Sequence, residues 1–129
     1  MRPGAARAFG TRARHAPAME EFALIERIRQ RLARDDRRTR IGIGDDAAVL
    51  APLSGGGVLS VDALIEGVHF DRRWLSWQDV GFRGYVAALS DLAAMGAAPV
   101  AGLLSLVLPA GLDEAAALAL VDGVAEAAE

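Results

Sequence analysis

The sequence predicts an α/β or α+β layer domain, and three observations predict it. Amphipathic, cappable or alanine-rich stretches read as helices near both ends and in the middle of the chain, three intervening segments read as strands, and the order is helix, strand, strand, helix, strand, helix. At 129 residues, 53% of them apolar, the chain can bury one core, so one domain is expected.

The first helix is expected from Glu20 to about Arg34. Leu24, Ile25, Ile28 and Leu32 fall on one face, and Glu26, Arg27, Arg29 and Arg31 occupy much of the other. The polar run Asp35 to Arg40 ends it. Ile41 to Leu50 reads as a glycine-punctuated turn feeding a short apolar strand. After Pro52 and the glycines 55–57, Val58 to Asp62 alternates as a strand, with Ser60 and Asp62 on one face and Leu59 and Val61 on the other. Ser76 is placed to N-cap a second helix, Trp77 to Met95, with Asp79 completing a weakened capping box and Gly96 stopping the helix. The unbroken apolar run Val100 to Leu108 predicts a strand buried on both faces. Beyond a turn at 109–112, Asp113 can cap an alanine-rich helix reaching Glu129. That helix has no C-cap glycine or proline, so a chain continuing past Glu129 is expected.

All 14 basic residues are arginine, and four of them lie in the first 18 residues, which hold no acid. The remaining ten arginines stand against 17 acids, a net charge of −7. The tail reads as a disordered, transit-like basic segment or as a start assigned upstream of Met19; its lack of packable residues favours the second. The domain proper is then 19–129. The tail has no apolar central run, and the apolar stretch from Ala97 to Leu112 is too short and too interrupted to span a bilayer. A cytoplasmic protein that uses neither membrane nor nucleic acid is expected.

With no cysteine, any metal must be held by oxygen or imidazole, which brings hard cations such as magnesium forward. Three acidic positions sit among small residues. Asp45 and Asp46 follow Gly44 and read equally as an Asx turn or as cation ligands. Asp62 ends an apolar strand, where aspartate is disfavoured, and is either a turn starter or a partnered carboxylate. Asp91 lies late in its helix, where the macrodipole opposes a negative charge, and no basic residue stands one turn away. Its i−3, i−4 and i−7 neighbours are Ala88, Ala87 and Gly84, a small-residue stripe that admits another element or a ligand. Solvation is the plain alternative for Asp91, and a loop role is the plain alternative for His69. Walker, Rossmann, zinc-protease and nucleophile-elbow motifs are absent. Phosphate chemistry here would rest on carboxylate-bound metal ions and backbone amides.

Five motifs, Phe22-Ala-Leu-Ile25, Gly42-Ile-Gly-Asp-Asp46, Ser60-Val-Asp62, Glu66-Gly-Val-His-Phe70 and Leu89-Ser-Asp-Leu-Ala-Ala-Met-Gly-Ala97, stand in one order. In that order and spacing the chain resembles the N-terminal domain of the thiamine-monophosphate kinase family, within the aminoimidazole ribonucleotide synthetase-like superfamily. The resemblance implies a mixed sheet with helices on one face and a homodimer built through the sheet. It implies transfer of the ATP γ-phosphoryl group to thiamine monophosphate, with Mg2+ at Asp46, Ser60, Asp62 and Asp91. His69 falls on a position that contacts thiamine monophosphate, and Gly44 and Asp45 accompany the nucleotide-site motif. Val61 stands where threonine is common, Arg83 where lysine is frequent, and Ala88 where asparagine often precedes Leu-Ser-Asp. The resemblance places a further domain beyond Glu129, without which the fragment is expected to be inactive. Another ATP-using member of the superfamily, or a non-catalytic metal-binding dimerisation module, are the alternatives; Glu66 to Phe70 favours the kinase.

Overall fold

The computed structural model describes residues 20–34 and 37–129. The basic tail, Met19 and the start of the polar run at 35–36 lie outside the described residues. The elements are α1 (Glu21–Leu32), β1 (Thr39–Ile41), β2 (Val49–Leu50), α2 (Trp77–Ala94) and α3 (Glu114–Ala127).

α2 forms where the sequence places it because both of its ends are chemically specified. Ser76 Oγ accepts from the Asp79 backbone N–H at 3.1 Å, and Asp79 Oδ2 accepts from the Ser76 N–H at 2.7 Å. Both halves of the capping box are therefore made, stronger than the sequence alone suggests. Gly96 at φ +64° ends the helix in the left-handed conformation, and the Ala97 N–H returns to Leu92 O at 2.9 Å. α3 starts at Asp113, whose carboxylate accepts from the Ala116 N–H at 2.7 Å.

The core is the α2–α3 contact. Val80, Leu120 and Val124 form its centre, and Ala117, Leu118 and Val121 are buried beside them on α3. The two helices meet backbone to backbone. A Cβ on Gly81 would lie 1.9 Å from Leu120 O, and a Cβ on Gly123 would lie 1.9 Å from Gln78 O. α1 docks on α3 through ion pairs, Arg27 with Glu114 and Arg31 Nε with Asp122 Oδ1 at 2.7 Å, and just past the C-terminal ends of the two helices Arg34 pairs with Glu129 at 3.4 Å. None of the residues of α1 is fully buried, but Leu24, Ile25, Ile28 and Leu32 are half-buried, as the helical spacing predicts.

The sheet departs from expectation. Among the described residues it consists of the antiparallel pair β1–β2 alone, with Thr39 opposite Leu50 and Ile41 opposite Val49. The segments 58–62 and 100–108 carry no ladder, so the expected mixed sheet is not formed among the described residues. The expectation that 100–108 is buried on both faces also fails. One side packs: Gly102 lies under the Tyr85 ring, where a Cβ would meet Cε2 at 2.8 Å, and Leu106 packs against the core. The other side is open, with Leu103 at 86% and Val107 at 94% exposure, matched by Leu59 and Val61 at 93%. An apolar run announces that it will be covered but does not name what covers it, and the described residues offer no second layer. No helix among the described residues is long and apolar enough to cross a membrane.

Candidate functional site

The segment 60–64 lies along α2. Ser60 Oγ–H donates to Asp91 Oδ2 at 2.5 Å, bringing together two residues 31 positions apart. Leu64 sits against Gly84, its Cδ2 3.7 Å from where a Cβ would be. Ser60 by Asp91 and Leu64 by Gly84 set the segment antiparallel to the helix, over the small-residue stripe. Here, then, the stripe admits another stretch of the same chain.

The result is a pair of hard oxygen donors from two elements. Asp91 lies in the last turn of α2, which holds no basic residue, so the helix dipole adds to its unmet negative charge. Among the described residues no arginine pairs with Asp45, Asp46, Asp62 or Asp91. Arg27, Arg29, Arg31, Arg34 and Arg73 pair with other acids. Arg72 lies 4.3 Å over the Trp77 ring.

The other expected site residues lie in exposed turns. Gly44 has φ +117°, and Asp45 Oδ1 accepts from the Asp46 N–H at 2.8 Å. Asp62 Oδ1 accepts from the Ala63 N–H, also at 2.8 Å. His69 closes its own loop: its N–H donates to Ile65 O at 2.8 Å and its Nδ1 accepts from the Ile65 N–H at 3.1 Å, with Gly67 at φ +77° between them. Among the described residues no three His, Cys, Asp or Glu side chains gather into a group that could hold a metal. The structure thus joins Ser60 to Asp91 and leaves Asp46, Asp62 and His69 as separate, solvent-facing groups. Magnesium is commonly held by one or two carboxylates with water and phosphate oxygens completing its shell, and the Ser60–Asp91 pair fits that chemistry.

Two features escape a reading of the sequence. Asp71 is held below its ordinary value by the hydrogen bonds of Arg73, which fixes the loop after His69. Glu26 takes both Arg29 Nε and Nη2 at 2.7 Å and is pushed down to about 2 by that contact and by Gln30. The i, i+3 spacing of Glu26 and Arg29 is the only sequence signal for the second. A shallow depression lined by Gln78, Asp79, Phe82 and Glu126 lies at the opposite end of α2 from Asp91. Its carboxylates are engaged, Asp79 in the cap and Glu126 with Gln78 at 2.9 Å.

The chain is 36% identical over 112 residues to thiamine-monophosphate kinase of Bacillus subtilis, covering 86% of this chain and 34% of that protein. It is 39% identical over 108 residues to thiamine-monophosphate kinase of Mycobacterium tuberculosis, covering 84% of this chain and 32% of that protein. Over 67 residues it is 49% identical to thiamine-monophosphate kinase of Synechococcus elongatus, covering 51% of this chain and 20% of that protein. The chain spans about a third of the length of the first two. No solved structure matches it. Residues 44–129 match the AIR synthase related protein, N-terminal domain, a span that includes Gly44, Asp45, Asp46, Ser60, Asp62, His69 and Asp91. The chain belongs to the AIR synthase related protein family and carries its N-terminal domain.

Proposed function

We propose that this chain is the N-terminal part of a cytoplasmic, homodimeric kinase that phosphorylates thiamine monophosphate to thiamine diphosphate with ATP. The observation that carries the proposal is the Ser60–Asp91 contact, which joins two of the proposed ligand positions from separate elements. Fold alone would not identify a reaction. The similarity to thiamine-monophosphate kinases over most of this chain supports the choice of substrate.

In this reading Asp46, Ser60, Asp62 and Asp91 hold Mg2+, and Gly44 and Asp45 form the turn beside the nucleotide phosphates. Bound Mg2+ supplies charge neutralisation for the transferring phosphoryl group. The chain's own residues position. Asp91, at the C-terminal end of α2, orients the Ser60 hydroxyl, which donates a hydrogen bond to its Oδ2. The exposed Asp62 and Asp46 carboxylates keep free oxygen sites after accepting, or flanking, their local backbone N–H bonds. His69, with Nδ1 engaged by the Ile65 N–H, leaves Nε2 for the thiamine moiety. The remaining ligands and the walls of the substrate site would come from chain beyond this third of the enzyme.

A transfer assay on the full-length protein, with ATP, Mg2+ and thiamine monophosphate, tests the proposal. Thiamine diphosphate should form only when all three are present. Activity with another acceptor and none with thiamine monophosphate would move the protein to a different member of the superfamily.

A further inference from the structure

We infer that Glu26 is a positioning residue for the Gly44-Asp45-Asp46 turn: by clamping the Arg29 guanidinium it keeps that cation off the two carboxylates and leaves them open to a divalent cation. The inference rests on the metal-binding reading of Asp46 proposed above.

Three observations carry it. The glycine turn faces the stem of Arg29, since a Cβ on Gly44 would lie 3.8 Å from Arg29 Cδ. The guanidinium begins one bond beyond Cδ, and Asp45 and Asp46 directly follow Gly44, so Arg29 is a basic side chain lying against the turn that carries the two carboxylates. Yet it points elsewhere. Nε donates to Glu26 Oε2 and Nη2 to Oε1, both at 2.7 Å, a two-pronged clamp that a carboxylate three residues earlier on α1 is placed to make. Gln30 Nε2 donates to the same Glu26 Oε1 at 3.1 Å and steadies the acceptor from the next turn.

The alternative arrangement is chemically ordinary. Released from Glu26, Arg29 would find two carboxylates in adjacent residues, Asp45 and Asp46, neither with an arginine partner among the described residues. An arginine there would satisfy the turn electrostatically and compete with Mg2+ for the same oxygens. Glu26 therefore acts through Arg29 and touches neither metal nor substrate. The pair is solvent-exposed, so its leverage is that of a surface ion pair, worth roughly a two- to fivefold change in an equilibrium and smaller in high salt.

The experiment is a Mg2+ titration of the full-length protein at low ionic strength, read by calorimetry and by the Mg2+-dependent rise in Tm. Glu26→Gln should weaken Mg2+ binding about two- to fivefold, the effect should shrink at high salt, and the double variant Glu26→Gln/Arg29→Gln should restore the parental affinity. Restoration separates the clamp from simple damage to α1, because the double variant lacks the pair as well. An affinity unchanged in Glu26→Gln while Asp46→Asn weakens binding would overturn the inference and leave the metal reading standing. A double variant that binds Mg2+ as weakly as the single would overturn it too. If Asp46→Asn leaves Mg2+ binding untouched, the metal reading of the turn falls and the inference falls with it.

Discussion

Gly81 and Gly123 occupy reciprocal positions at the crossing of α2 and α3, each with the other helix's backbone carbonyl where its own Cβ would stand. Gly81 faces Leu120 O and Gly123 faces Gln78 O, both at 1.9 Å from the would-be carbon. Side chains cannot yield here because the obstacle is backbone. Gly81→Ala or Gly123→Ala should force the helices apart and strip contacts from Val80, Leu120 and Val124. Each should cost about 3 kcal/mol, visible as a fall in Tm of roughly 10 °C. An alanine tolerated at both positions would mean that the helices do not approach this closely.

Asp91 sits where the helix dipole disfavours it, with Ser60 as its hydrogen-bond donor. Asp91→Asn keeps an acceptor for Ser60 and removes the charge. Without metal the variant should melt at the same temperature as the parent or slightly above it. Turnover should nevertheless fall by about two orders of magnitude or more, as when a charge-stabilising group is lost. Asp62→Asn and Asp46→Asn should lower turnover likewise, with little change in apo-stability, because their carboxylates accept only local bonds or stand free in exposed turns. Strong destabilisation with turnover intact would make these residues turn-formers.

His69 both closes its loop and, in the proposed function, meets the substrate. His69→Ala should raise KM for thiamine monophosphate about tenfold and leave KM for ATP nearly unchanged. Loss of magnesium dependence in this variant would instead assign the imidazole to the metal.

Acid should loosen the surface network before it reaches the core. Glu26 is lowered from 4.5 to about 2, and Asp71 and Asp79 lie below their ordinary values through Arg73 and Ser76 respectively. Each folded-state value is depressed, so each contribution is complete above the ordinary carboxylate range and is lost as pH falls through the folded value. Tm should therefore drop as pH falls from 4.5 toward 2. Asp79→Asn should flatten part of that slope, as followed by circular dichroism. A Tm independent of pH in this window would mean that these contacts do not persist in solution.

Leu59, Val61, Leu103 and Val107 present bare apolar side chains on two extended segments. A homodimer of the full-length protein through this surface would cover them. Light scattering should report twice the chain mass, and Leu103→Glu with Val107→Lys should shift it toward one. A clean monomer for the parent at high concentration would refute the dimer.

Local chemistry was legible in the sequence wherever a residue specifies its own neighbourhood. Ser76 and Asp79 cap α2, Gly96 stops it, Asp113 starts α3, and Leu24 to Leu32 turn inward, because capping and helical period act over three or four residues. The order of the motifs likewise pointed to the family. Only the tertiary structure decided which residues meet across long separations. It put Ser60 on Asp91, Gly81 against Leu120 and the Gly44 turn against Arg29, pairings between residues 31, 39 and 15 positions apart. It also left 58–62 and 100–108 without a ladder, because an apolar pattern encodes the demand for a partner strand, whereas its supply depends on what else the fold brings alongside.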